Sequence, residues 1–226
     1  KEILSLFPES QCLQLVTVQD QSGMTILHHV ACASNPEIME TILKSLPQLH
    51  RLQAVSVQDQ KGKTALHYCA TRSKYPELVK TILGSLTEVE RLQAVNAQDL
   101  EGNTVLHSAA RSGNFGLVQS ILNTLLESDG SHAASIPDRD GSTILHCAAM
   151  ASSIELIKTI LSVHPESERA LAVSTRDQYG RTVLHCAAGS HNPDTVRLIL
   201  ALLPESQRLQ AVGTQDMEGE TVLNLV

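Results

Sequence analysis

Apolar and polar positions along this chain repeat on a short period and on a long one. Apolar residues recur at helical i, i+3, i+4 spacing in "PEIMETILKSL" (36–46), "PELVKTILGSL" (76–86), "FGLVQSILNTLL" (115–126) and "IELIKTILSV" (154–163). That spacing predicts an amphipathic helix in each. Shorter stretches rich in small residues, such as "VLHSAARSG" (105–113) and "VLHCAAGS" (183–190), stand between them. Their alanines suit close packing of one helix on another. The pattern Asp-x-x-Gly-x-Thr-x-Leu precedes or opens each such stretch, six times without a mismatch. Its aspartates are Asp20, Asp59, Asp99, Asp138, Asp177 and Asp216, at steps of 39, 40, 39, 39 and 39 residues. The leucine is followed by His28, His67, His107, His146 and His185 in five copies and by Asn224 in the sixth.

Each motif position has a physical reading. Asp-x-x-Gly is turn chemistry, because Asp bonds its own backbone and Gly takes a positive φ without strain. The Thr that follows stands at a helix N-cap, where its hydroxyl serves an orphan N–H. Pro36, Pro76 and Pro193, each followed by an acid, suit the first position of the second helix. Twelve residues before each Asp stand Pro8, Pro47, Thr87, Leu126, Pro165 and Pro204. Segments such as "TEVERLQAV" (87–95), "PESERALAV" (165–173) and "PESQRLQAV" (204–212) then predict a short third helix with a Glu–Arg ion pair at i, i+3. The fourth copy, "LESDGSHAAS" (126–135), carries Asp-Gly and is expected to loop.

The unit so assembled resembles the ankyrin repeat, a turn followed by Thr-Pro-Leu-His, an Ala-rich helix and an Ile/Val/Leu-rich helix. The resemblance is clearest at "DLEGNTVLHSAARSGNFGLVQSIL" (99–122) and covers essentially the whole chain. Two departures stand out. The family's Pro is replaced by Ile26, Ala65, Val105, Ile144, Val183 and Val222. The unit also exceeds the usual ~33 residues by about six. The resemblance implies a mainly helical repeat solenoid with β-hairpin tips. A single domain over 1–226 is expected, with full repeats near 20–58, 59–98, 99–137, 138–176 and 177–215 and partial ones at 1–19 and 216–226. "KEILSLFPES" (1–10) matches "RLILALLPES" (197–206), so the chain is expected to open inside a second helix and to be an excerpt of a longer protein. An armadillo-type solenoid is the alternative fold, disfavoured by the Asp-x-x-Gly-x-Thr turn.

Composition agrees with a thin repeat layer. Aromatic residues make up 2% of the chain, with no Trp, so the core falls to Leu, Ile, Val and Ala. Seventeen basic against 24 acidic residues give a net charge of −7, which speaks against a nucleic-acid binder. No apolar run reaches the ~20 residues a membrane helix needs, and no signal-peptide leader is read at the start. The five cysteines, odd in number and without tight spacing, read as reduced intracellular thiols.

The candidate chemistry is sparse. Ten His and five Cys invite a metal site, with His28-His29, His146-Cys147 and His185-Cys186 as the obvious pairs. Zinc ligands must converge within about 2.3 Å, whereas neighbours along one helix diverge and equivalent residues of packed helices lie roughly 8–10 Å apart. The resemblance implies instead that the repeated His bonds the turn backbone and the Thr of its own motif. No nucleophile motif or phosphate loop is present, so neither enzyme chemistry nor a cofactor is expected. Arg51, Arg91, Arg169 and Arg208 form a row that reads as self-neutralised by Glu88, Glu166 and Glu205.

Variation within a fixed unit marks where function can sit, and the tips vary most. Met24, Lys61, Lys63, Leu100, Asn103, Arg139, Tyr179, Arg181 and Met217 are therefore the candidate partner contacts. The resemblance implies a non-catalytic intracellular module that binds a protein through these tips and the inner-helix face, as a monomer without nucleic acid or membrane insertion. The alternatives are a substrate-docking or targeting arm of a multidomain enzyme or secreted bacterial effector, placed then in the host cytoplasm, and a structural spacer.

Overall fold

The computed structural model describes residues 8–72, 76–125 and 127–225, and they fall in two compact units, Lys1–Leu125 and Leu126–Val226. The proposed match of residues 1–7 to a second helix lies outside the described residues. In the first unit the order is α1 (Glu9–Thr17), α2 (Ile26–Ala33), α3 (Pro36–Lys44), α4 (Gln48–Val55), α5 (Ala65–Arg72), α6 (Glu77–Gly84), α7 (Glu88–Asn96), α8 (Val105–Arg111) and α9 (Phe115–Leu122). The second unit holds α10 (Glu127–Ser135), α11 (Ile144–Met150), α12 (Ile154–Ser162), α13 (Glu166–Ser174), α14 (Val183–Gly189), α15 (Pro193–Leu202) and α16 (Glu205–Gly213), then a 3₁₀ turn at Val222–Asn224.

Like packs on like. In the first unit α2 stacks on α5 and α5 on α8, while α3 stacks on α6 and α6 on α9; in the second, α11 stacks on α14. The Ala-rich first helices allow this close approach: Ala31, Ala70, Ala109 and Ala110, and in the second unit Ala148, Ala149, Ala187 and Ala188, are all buried. The second helices supply the bulk, with Leu78, Val79, Ile82 and Leu83 of α6 and Leu156, Ile157, Ile160 and Leu161 of α12 within 3% of full burial. Each such leucine or isoleucine contributes about 1.5–3 kcal/mol by leaving water. The period-3.6 stripe is thus the seam of each unit, and among the described residues no Phe or Tyr is buried in it.

Three local expectations are corrected. Residues Glu127–Ser135 form helix α10 where a loop was expected. A central Gly costs a helix only about 1 kcal/mol, and here burial of Ala133 and Ala134 outweighs it. The Ser135 hydroxyl also bonds the Ser131 carbonyl at 2.9 Å and lies 3.2 Å from His164 Nε2. Second, the tips are tight turns whose strand pairing is limited, among the described residues, to the isolated antiparallel bridges Arg176↔Thr182 and Gln215↔Thr221.

Third, the arginine row does not pair with the glutamates three residues ahead. Arg51 Nε donates to the Leu46 carbonyl at 3.2 Å, Arg91 Nε to Leu83 at 2.9 Å, Arg169 Nε to Leu161 at 3.0 Å and Arg208 Nε to Leu203 at 3.1 Å. These carbonyls lie at the ends of the second helices, where the helical i+4 donor is missing and the helix dipole favours a cation. Each arginine therefore joins the third helix to the end of the second.

Candidate functional site

The tips are built by one device. In every copy the Asp carboxylate accepts from the backbone N–H two and four residues on; for Asp59 these are Lys61 N and Lys63 N, both at 2.8 Å. The Asp N–H in turn donates to the carbonyl four residues later, as from Asp59 to Lys63 at 2.9 Å. Gly62 closes the turn at φ +72°, and a Cβ there would sit 2.7 Å from the Leu100 nitrogen of the next tip. The glycine serves the turn and the close approach together.

Neighbouring tips are laced by single backbone bonds. Gln60 N donates to Ser22 O and Leu100 N to Lys61 O in the first unit; Gln178 N donates to Asp140 O and Met217 N to Tyr179 O in the second. The residue before the Asp adds a side-chain rung. Gln19 Nε2 bonds Gln58 O, Gln58 Nε2 bonds Gln98 O, both at 2.8 Å, and Arg176 takes the same part by donating to Gln215 O at 2.9 Å. Asp20 additionally holds His29 at 2.8 Å, which together with the tip N–H groups keeps its carboxyl below the usual range, the Met24 N–H foremost.

The Thr–His pair is the second device. In α2, α5, α8, α11 and α14 the His stands at N3, and its Nδ1 accepts from the N-cap Thr N–H at 3.0, 3.1, 3.3, 3.1 and 3.2 Å. The Thr hydroxyl lies 2.9–3.0 Å from the same nitrogen. A backbone N–H can only donate, so Nδ1 is bare and the ring proton is on Nε2. That proton reaches into the following repeat: His28 Nε2 meets Lys63 O at 2.9 Å, His67 Nε2 meets Asn103 O at 2.9 Å, and His185 Nε2 meets Glu220 O at 3.3 Å beside Thr214 O of its own repeat at 3.0 Å. His146 Nε2 faces the equivalent pair of carbonyls, Thr175 and Arg181, without reaching hydrogen-bond geometry. Burial pushes His28, His67 and His146 below the ordinary histidine range, against the pull of the carbonyls they meet or face.

The expected Thr bond is therefore present, and a bond to the next repeat adds to it. In the sixth copy Asn224 takes the same place against its Thr: Asn224 Oδ1 accepts from Thr221 N at 3.0 Å. With Nδ1 bonded to the cap in all five and Nε2 bonded to a carbonyl in His28, His67 and His185, these histidines form part of the frame. Among the described residues no group of three or more His, Cys, Asp or Glu is placed to hold a metal ion. Burial pushes the Cys69 thiol up, and holds that of Cys186 up at about 12.

The structure sorts the nine tip residues by height. Lys61, Leu100, Arg139, Tyr179 and Met217 stand exposed; Met24, Lys63 and Arg181 are half-buried. Asn103 is buried beneath its tip, donating to Asp99 and Glu101 and accepting from Arg111, so it builds the turn and offers no outer face. Arg181 is held by Asp177, Nη2 to Oδ2 at 2.8 Å, with its guanidinium carbon 4.8 Å from the centre of the Tyr179 ring.

Three of the nine are brought together. Tyr179, Arg181 and Met217 line a concavity of about 610 Å³ in the second unit, with Met150 of α11 and Gly189 of α14 forming part of its inner wall. Glu218 and Glu220 stand on its rim. Met150, Glu218 and Glu220 also line it and are not among the nine candidates; the two glutamates lie in a tip already singled out, whereas nothing along the chain ties Met150 to that tip. Among the described residues no helix is long and apolar enough to cross a membrane.

No curated protein matches the chain. A family model described as ankyrin repeats (3 copies) matches it over residues 4–92, 41–132, 76–169 and 119–210. Those spans overlap to cover nearly all of it, and they coincide with the turn, Thr–His cap and paired helices described above. The chain belongs to the ankyrin-repeat family.

Proposed function

We propose that the chain is a non-catalytic docking module that binds a protein partner through its tips and the inner-helix face beside them. Ankyrin repeats are generally protein–protein interaction modules. The observation that carries the reading here is the convergence of Tyr179, Arg181 and Met217 on one concavity. Exposed anchors beside a preformed hollow, held by a rigid frame, lose little conformational freedom on binding. Tyr179 and Met217 are 50% and 76% exposed, which is unusual display for such side chains in a chain this poor in rings. Among the described residues Cys12, Cys32, Cys69, Cys147 and Cys186 form no disulfide, in keeping with a reducing intracellular setting.

Affinity capture tests the reading with the chain as bait. The Tyr179→Ala/Met217→Ala double variant should lose a partner that the parent retains, while its thermal unfolding stays within a few degrees of the parent. Exposed side chains carry little stability, on the order of 0.5 kcal/mol each, and the surface contact of Tyr179 with Arg181 adds only about 0.5–1 kcal/mol. An unchanged set of partners in this variant, and again in Lys61→Ala/Leu100→Ala, would remove the tips from the account.

A further inference from the structure

The concavity in the second unit has a chemical character that narrows its occupant. Its walls carry the apolar side chains of Met150, Tyr179, Met217 and Leu225, and its polar rim is acidic. Asp216, Glu218 and Glu220 line it against a single guanidinium, that of Arg181. Arg181 is already neutralised by the fully buried side chain of Asp177. His185, also in the wall, has Nδ1 occupied by the Thr182 N–H and Nε2 by the Thr214 carbonyl. The Asp216 carboxylate is turned into its own tip, accepting from Glu218 N and Glu220 N at 2.9 Å. That leaves the Glu218 and Glu220 carboxylates without a cation partner among the described residues.

We infer that this groove takes a basic-apolar peptide segment of a partner protein, with an arginine set between the Glu218 and Glu220 carboxylates and an adjacent aliphatic side chain on Met150 and Met217. The inference rests on the proposed docking function and names the partner chemistry of that same surface. The volume is in the range of about 300–1,000 Å³ that holds ligand-sized groups, so a few side chains fill it. A planar guanidinium offers paired donors to carboxylates. Its alkyl stem lies well on thioether surface, and methionine adapts to the shape laid against it. The cation–π contact of Arg181 holds the Tyr179 ring in place, so that wall is formed before anything binds. An acidic segment would meet three carboxylates with no free cation to offset them. The net charge of −7 steers the same choice at longer range.

The chain contains four methionines, which makes methyl-labelled methionine NMR a direct test. The probes are a short unstructured peptide with arginines flanked by leucines and its counterpart with glutamates in place of the arginines. The arginine peptide should shift the methyl signals of Met150 and Met217. Met39, fully buried in α3, and Met24, at the first tip, should stay still. Glu218→Gln/Glu220→Gln should weaken binding roughly fivefold and flatten its salt dependence, which is what two partly exposed ion pairs carry. Equal binding of the glutamate peptide, unchanged affinity in the double variant, or a response confined to Met24 would each overturn the groove assignment. Tip-dependent capture of a partner through Leu100 or Arg139 would persist in those cases, so failure of the groove is distinct from failure of the docking function.

Discussion

Removing one rung of the Thr–His ladder should cost more than an ordinary buried polar residue. His67 has no exposed surface, accepts from Thr64 N at 3.1 Å and meets Asn103 O of the next repeat at 2.9 Å. In His67→Ala the Thr64 N–H, itself 1% exposed, loses its partner. An unsatisfied buried donor costs about 1–3 kcal/mol and each lost bond about 1 kcal/mol more, so with the void left by the ring the sum is about 3–4 kcal/mol. The sixth copy supplies the control substitution, because Asn224 Oδ1 makes the same bond to its Thr N–H, while at position 67 the shorter asparagine would not span to the Asn103 carbonyl. His67→Asn should therefore cost only about 1.5–2 kcal/mol, the inter-repeat bond plus some lost volume. Guanidinium denaturation followed by far-UV circular dichroism measures both, read as midpoints at a constant slope. A cost below about 1 kcal/mol for the alanine variant would refute the ladder as a source of cohesion, as would an asparagine variant less stable than the alanine one.

Acid should loosen the frame before the carboxylates titrate. Burial holds His28, His67 and His146 below the ordinary value of 6.5, so between that value and their folded values the unfolded chain binds more protons than the native one. Stability should then be full above about pH 6.5 and fall as pH drops through the folded values; a melting temperature flat between about pH 7 and 5 would contradict the bare-Nδ1 assignment. Gly62→Ala and Gly113→Ala separate backbone strain from tip contact, since both residues have φ near +71° but only Gly62 faces a neighbouring backbone. Gly113→Ala should cost roughly 1–2 kcal/mol, and Gly62→Ala about 2 kcal/mol more as the Leu100–Lys61 bond yields, both measured by denaturant midpoint. Arg169→Ala should cost about 1–2 kcal/mol for its carbonyl bonds, and Glu166→Gln almost nothing; equal losses in thermal unfolding would restore the ion-pair reading.

Much of this was legible along the chain because it is local. The Asp-x-x-Gly turn, the Thr cap, Pro36 and Pro193 at N1 and the leucine stripe of α6 all act within one turn of helix. What failed was judged locally but decided elsewhere. Asp129-Gly130 reads as a break, yet α10 persists because Ala133 and Ala134 are buried. Arg169 reads as a partner for Glu166 at i, i+3, yet the end of α12 presents the Leu161 and His164 carbonyls within its reach. Asn103 reads as a variable tip residue, but its amide is used inside the turn.

By itself, then, the amino-acid order determined the repeat, its caps and its apolar seam, because hydrogen bonds within a turn and hydrophobic periodicity depend on spacing along one chain. The tertiary structure decided which groups from different repeats meet. It carried His67 Nε2 to Asn103 O, laid Gly62 against the next tip, and set Met150 beside Tyr179 and Met217. Those encounters depend on how closely Ala-faced helices stack and how the tips then align, which is fixed only once the neighbouring repeat is in place.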